Sequence, residues 1–228
     1  MTVVFSLGGS LIAPDGIDTR FLAGFRRVMQ AFVRRGNRAI IICGGGQTSR
    51  AYTDALKRLM PGVDAATLDW LGIAATQLNA VLVRDLFGQS AEPRILYNPT
   101  QKIRTSKRII VGSGWRPGCS SDKDAVLAAR TYGVSTVVNL SNIDYVYDRD
   151  PKRFTRAKPM PSLTWLAFQK IVGRVWQPGA HAPFDPVAAR LARRWSLRLV
   201  VMRGGNLENL QAFLTGRAFR GTVIGKRN

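Results

Sequence analysis

Three stretches of this chain place glycines at points where a strand-like run gives way to a helix-like one. They are Gly8-Gly9-Ser10, Gly44-Gly45-Gly46, and Gly112-Ser113-Gly114 continuing through Pro117-Gly118-Cys119-Ser120-Ser121 to Asp122. A backbone without Cβ lets its N–H groups close on phosphate oxygens, and a helix N-terminus adds free donors and a partial positive charge. Arg50, one turn beyond the triple glycine, has the reach for a charge-assisted bond to such a phosphate. Any one of these loops alone reads more readily as a tight turn than as a ligand site; three on successive strand ends favour phosphate binding. Two such grips close in sequence suit two phosphorylated substrates facing each other, the arrangement of phosphoryl transfer, where catalysis is mostly positioning and charge neutralisation. A fourth stretch, SNIDYVYDRDP over residues 141–151, offers polar and aromatic groups for a base and a ribose, or simply a surface loop. There is no GxxxxGK[ST] and no well-placed GxGxxG, which argues against a Walker-type NTPase and a dinucleotide fold.

The elements that must position these loops alternate. Apolar, β-branched runs predict strands at residues 2–7, 39–43, 94–96, 108–111, 136–140, 197–202 and 221–224. Helical patterning predicts helices at 19–35, 48–60, 65–87, 122–132, 162–171, 185–195 and 207–215, with Asp18 as an N-cap and Gly36 just past a helix end. Strands alternating with helices of this length predict an α/β protein with a mainly parallel sheet, its ligands beyond the carboxyl ends of the strands. With no internal repeat or low-complexity linker, residues 1–228 read as one domain, its two functional lobes dividing near residues 111–121.

Composition narrows the class. Of 228 residues, 46% are apolar and 21% charged, which excludes intrinsic disorder. No apolar run approaches the ~18–20 residues of a bilayer span, and the N-terminus lacks the pattern of a secretory signal. Two cysteines, Cys43 and Cys119, make no disulfide framework and fit a reducing, cytoplasmic setting. The formal charge is +20, from 26 Arg and 8 Lys against 14 acids, which favours anionic partners. The basic pairs are scattered rather than gathered in a tail, so nucleic acid is a possible but unfavoured partner. His181, the single histidine, has no Cys or His nearby in sequence and predicts no metal site, only a structural or subunit-contact role. Cys119 lies where a reactive thiol is conceivable, whereas Trp165, Trp176 and Trp195 read as packing residues.

SLGGS at 6–10, CGGGQTSR at 43–50, DWLGIAATQLNA from Asp69, PGCSSD at 117–122, NIDYVYDRDP at 142–151, FDPVAA at 184–189 and GTVI at 221–224 occur in one order over nearly the whole chain. In that combination the sequence resembles the amino-acid-kinase superfamily and, within it, the archaeal-type UMP kinases. The resemblance implies a three-layer α/β/α sandwich, transfer of phosphoryl from ATP to UMP with Mg²⁺ accompanying ATP, and a homohexamer built as a trimer of dimers. It implies an acceptor lobe at 1–111 and an ATP lobe at 112–228. Carried over by motif, Gly9, Ser10, Gly46 and Arg50 fall on the ATP phosphates, and Ser141, Asn142, Tyr147 and Asp150 on the adenosine. Gly45, Asp69 and the loop Trp115, Arg116, Pro117, Gly118, Cys119, Ser120 and Ser121 fall on UMP, and Asp122 on the acidic organiser of the reacting groups. Catalytic roles go to Arg50 and Asp122.

The sequence departs from the family pattern in places. Ser6 and Gln47 stand where many relatives carry lysine, which leaves Arg50, Arg116, Lys123 and Lys158 as candidates for the cation on the transferring group. Asp122-Lys123-Asp124 blurs the register of the helix start, and Tyr145 replaces a usual glycine that would permit positive φ. Two other readings remain open from the residues alone. One is a kinase of the same superfamily acting on a carboxylate, a carbamate or isopentenyl phosphate; the other is a non-enzymatic protein binding nucleic acid or anions on this scaffold.

Overall fold

The structure, a computed structural model, describes residues 1–151, 153–173 and 182–225. The readings placed on His181 and Trp176 lie outside the described residues. Seven strands, β1 (Thr2–Leu7), β2 (Arg38–Cys43), β3 (Ile109–Gly112), β4 (Thr136–Ser141), β5 (Ser162–Leu163), β6 (Arg198–Arg203) and β7 (Thr222–Ile224), form one sheet in the order β3-β2-β1-β4-β6-β7-β5. Every pairing is parallel except β6 with β7. The central strands read as continuous apolar runs because both faces are covered. Along β1, Val3, Phe5 and Leu7 enter one core and Val4 the other.

Among the described residues eight helices cover those faces: α1 (Gly9–Ile12), α2 (Thr19–Arg34), α3 (Gly46–Leu59), α4 (Ala65–Phe87), α5 (Ser121–Tyr132), α6 (Trp165–Val172), α7 (Pro186–Arg194) and α8 (Leu207–Leu214). Phe25 and Met29 of α2, Val83 of α4 and Leu210 of α8 pack on Phe5 and Ile41. On the other face Ala125 and Ala129 of α5, Phe168 of α6 and Ala188 of α7 pack on Val4, Ile40 and Val137. The result is the expected three-layer α/β/α sandwich. Strands from the first 112 residues fill one half of the sheet and later strands the other, so the chain reverses direction across the sheet between β1 and β4. That switch point opens a crevice at the carboxyl ends of the strands.

Side chains cap most of the helices: Asp18, Asp64, Ser120, Thr164, Asp185 and Asn206 each accept a first-turn amide. Helices α1 and α3, which begin at the glycine loops, have no side-chain cap. By length and composition α4 is apolar enough to span a membrane, contrary to the reading that no such run exists. Here it lies against the sheet, sending Ile73, Ala80, Val83 and Phe87 into buried positions.

Other expectations need correction. Residues 94–96 form no strand; Leu96 makes only an isolated bridge to Gly112, because Pro93 interrupts so short a run. The helix expected over 162–171 starts at Trp165, since Ser162 and Leu163 pair with β7 and the Thr164 hydroxyl caps α6. Helix α3 starts at Gly46, two residues early, because Ser49 N already donates back to Gly45 O (3.2 Å). Tyr145 needs no glycine-like backbone: among the described residues Ser196 is the non-glycine with positive φ.

Candidate active site

The crevice is built from two glycine loops in backbone contact. Gly44 N donates to Leu7 O (2.9 Å), and Gly8 N donates to Leu140 O (3.0 Å), tying the loop after β1 to both neighbouring strands. A Cβ on Gly9 would overlap Gly46 N, one on Gly44 would lie 2.7 Å from Gly9 N, and one on Gly46 would overlap the Gly9 carbonyl. Asn79 of α4 holds the triple glycine from below, its Nδ2 donating to Gly44 O (2.8 Å) and Gly45 O (3.3 Å). Thus Gly9, Gly44 and Gly46 meet at one place, with Gly45 between them in the chain and Ser10 next in α1; of the first amides of α3, Gln47 N donates to Ala13 O (3.1 Å). Arg50 extends from α3 into solvent, where its Nε donates to Gln47 Oε1 (2.8 Å).

Asp122 forms the floor. Its Oδ1 accepts from Ser6 Oγ (2.8 Å) and Asn139 Nδ2 (2.7 Å), and its Oδ2 from Asp185 N (3.2 Å). One carboxylate therefore joins β1, β4, α5 and the start of α7. Loss of water around it pushes its pKa up to about 6, against the opposing pull of the Ser6 hydrogen bond. Asp185 accepts from the Ser120 hydroxyl and caps α7 through Val187 N and Ala188 N. Asn139 Oδ1 and Ser141 Oγ are buried without a hydrogen-bond partner, so polar groups at the end of β4 stand unsatisfied beside the crevice.

The loop from 113 to 120 closes one side of the crevice. Gly114 N donates to Thr76 Oγ1 (2.8 Å), Trp115 N to Asp124 Oδ2 (3.1 Å) and Gly118 N to Asp69 Oδ2 (2.8 Å). Lys123 Nζ returns to Gly118 O (3.2 Å), and the Arg116 guanidinium stacks 4.0 Å above the Trp115 ring. Asp69 and its loop are therefore joined, and Gly45 sits against Ser49 and the Gly72 carbonyl of α4. Ser141 ends β4, and Asn142, Tyr147 and Asp150 lie along the loop that follows it. Arg203 pins that loop to β6 through a two-pronged bond to Asp144 (2.9 Å each). Lys158 lies on an exposed segment whose backbone pairs with Asp148. Cys119 is half-buried; Cys43 is fully buried, and burial pushes its thiol pKa up, which keeps it inert.

Four residues of this network escape a reading of the sequence alone. Asn139 is the one polar side chain inside TVVNLS, a signal the sequence does carry. Asp185 opens the helix within the FDPVAA run, and Asn79 interrupts the buried face of α4. Asp124 stands out in the sequence only as a register problem, yet Asp122 and Asp124 point to different partners within one helical turn. Among the described residues no group of three or more His, Cys, Asp or Glu side chains is arranged to hold a metal.

An α/β sandwich with two interlocked glycine grips and an acidic floor at its switch point defines a phosphate-handling protein of the kinase class. The model of the amino acid kinase family matches residues 1–203, and the chain belongs to that family. A uridylate kinase of Methanoregula boonei is 32% identical over 93% of this chain and 91% of its own. Another, from Thermoplasma acidophilum, is 32% identical over 98% and 96%. The crystal structure of uridylate kinase from Archaeoglobus fulgidus superposes with a TM-score of 0.85 at 30% identity, covering 99% of this chain and all of that one.

Two outcomes test this geometry. Gly9→Ala forces the two glycine loops apart, so it should cost about 3 kcal/mol, roughly 6–12 °C in Tm for a chain of this size, read by thermal melts. An unchanged Tm would mean the loops are not in contact. Burial pushes the Asp124 pKa up to about 7, with Lys123 and Arg116 pulling it down and Asp185 adding to the rise. Folded protein then keeps a proton that the unfolded chain releases near 4. Asp124 accordingly supports stability below about pH 4 and loses that contribution as pH rises to about 7. The Tm of Asp124→Asn relative to wild type should therefore climb between pH 5 and pH 8; parallel curves would refute it.

Proposed function

We propose that this chain transfers the γ-phosphoryl group of MgATP directly to UMP, giving ADP and UDP, as a cytoplasmic enzyme of pyrimidine nucleotide synthesis. The observation that carries the reading is the pair of interlocked glycine loops leading into helices without side-chain caps, beside an acceptor loop closed over Asp69. Likeness to uridylate kinases over nearly the full length supports the choice of acceptor.

In this reading residues 1–111 carry the acceptor and 112–228 carry ATP. Backbone amides of Gly9, Ser10 and Gly46, with Arg50, hold the donor phosphates, and Ser141, Asn142, Tyr147 and Asp150 hold the adenosine. Gly45, Asp69 and residues 115–121 hold UMP, with Asp69 exchanging its bond to Gly118 N for the nucleoside. The acceptor oxygen is already ionised, so no strong general base is required. Asp122 keeps β1, β4 and α5 in register so that both phosphates approach in line, and the bound Mg²⁺ offsets charge on the donor phosphates.

Helix α4 supports self-association. Trp70, Ala74, Leu78 and Leu82 are all exposed and four residues apart, an apolar stripe on the outer face of a helix whose inner face is packed. A stripe along one helix pairs with its own copy across a two-fold axis, and such dimers assembled in threes give the hexamer. Free cysteines fit a reducing compartment.

A coupled ADP-release assay with MgATP against UMP, CMP, dUMP, N-acetylglutamate, isopentenyl phosphate and bicarbonate with ammonia should give strong turnover with UMP. No turnover from folded protein would sink the reading. Arg50→Ala should lower kcat/KM at least about tenfold without a change in Tm, and Asp69→Asn should raise KM for UMP more than for ATP; equal effects would contradict the lobe assignment. Leu78→Glu with Leu82→Glu should break the oligomer in light scattering, and a monomeric wild type would refute the α4 interface.

A further inference from the structure

Asp124 is fully buried in the first turn of α5, and it is an expensive way to hold what it holds. Its Oδ2 accepts one amide, Trp115 N (3.1 Å), while Oδ1 has no hydrogen-bond partner. A neutral acceptor would satisfy that amide without the desolvation of a charge. What a carboxylate adds is attraction, and the cations it interacts with are Lys123 and Arg116. Both touch the loop of residues 113–120: Lys123, from α5, donates to Gly118 O, and Arg116, in the loop, lies on the Trp115 ring.

The loop has a fixed root and a releasable tip. At the root Gly114 N is bound to Thr76 Oγ1, which donates onward to Ile73 O (2.6 Å), and Trp115 N is bound to Asp124. At the tip Arg116 and Gly118 are exposed, Gly118 takes φ +74°, and its amide rests on Asp69. When Asp69 turns to an incoming acceptor, the tip is freed while the root stays.

We propose that Asp124 is a positioning residue for the acceptor: its carboxylate fixes the Trp115 amide and draws Arg116 and Lys123 toward the phosphate of the bound nucleoside monophosphate. This rests on the reading of UMP as acceptor. The charged groups facing Asp124 are Lys123 on its own helix, Arg116 on the loop and Asp185 at the start of α7. Protonation of Asp124 as pH falls through about 7 removes the pull on both cations. The acceptor phosphate also titrates, near pH 6, so only the difference between wild type and variant isolates Asp124.

Asp124→Asn keeps the shape and leaves a carbonyl for Trp115 N. At pH 8 it should raise KM for UMP about tenfold, with kcat and KM for ATP within about twofold. That ratio should shrink toward one by pH 6. Arg116→Gln should show the same loss, and the double variant should be no worse than either single one. Equal KM values at every pH, equal effects on both substrates, or additive losses would overturn the proposal. A second arm needs no turnover. In ¹⁵N-tryptophan protein, the Trp115 amide, assigned by its loss in Trp115→Phe, should titrate near neutrality in wild type and not in Asp124→Asn. A wild-type resonance that does not titrate overturns the contact. Absence of UMP turnover by wild type would instead count against the acceptor reading alone.

Discussion

The contact of Gly9 with Gly44 and Gly46 is the constraint on which the site depends. Two loops that touch through their backbones admit no side chain at the point of contact, and no third group comes between them. Their separation is inherited from the parallel register of β1 and β2, which pairs Leu7 with Cys43 and brings both strand ends level. The buried strands in turn hold that register, because a slip of one residue would exchange the faces presented to the two cores. In-line phosphoryl transfer is sensitive to misplacement of about 1 Å, and here the placing of one grip against the other is handed to the most rigid part of the molecule. The Asp122 carboxylate repeats the device one layer down, tying β1 to β4 and α5 to α7 through three accepted hydrogen bonds.

Much of this is legible in the sequence wherever a local rule acts alone. Helix α4 can be read with its boundaries intact because Asp64 caps its start and Gly88, at φ +51°, ends it. Asp18 and Gly36 mark α2 for the same reasons. The glycine loops are legible because a glycine between a strand and a helix is a local event. Reading fails where long-range pairing decides the outcome. Strand β5 is two residues long and exists because β7 arrives beside it from some sixty residues away. The run 94–96 has strand-like residues and remains a single bridge to β3, since Pro93 just before it has no amide to extend the ladder.

The same division runs through the site. The loop of residues 113–120 and Asp69 are recognisable as motifs, but the bond from Gly118 N to Asp69 joins residues 49 apart, and no pattern in either segment announces it. Ser6 stands out as a missing lysine, whereas its partnership with Asp122 across 116 residues gives it a role of its own. Without a lysine there, the hydroxyl donates to the floor carboxylate and adds no positive charge. The cations of the site are consequently at its rim, on Arg50, Arg116 and Lys123, rather than beneath it.

That placement explains how a chain of net charge +20 keeps three carboxylates in its interior near the crevice. None of the ion pairs among the described residues involves Asp122, Asp124 or Asp185; apart from Arg94 with the buried Glu92, those pairs are exposed, where each is worth little. The basic exterior sets up a long-range field that draws polyphosphates in, and the acidic floor acts only at short range. Two nucleotides bring several negative charges next to carboxyls that burial already holds at about 6 and about 7. Unless the rim cations move in with the phosphates, those carboxyls must take up protons, and the hydrogen bonds they accept would weaken. On the proposed reading, approach of the rim cations and retention of the ionised floor are therefore one electrostatic event, and the floor carboxylate that it preserves, Asp122, is the one that ties the two halves of the sheet together.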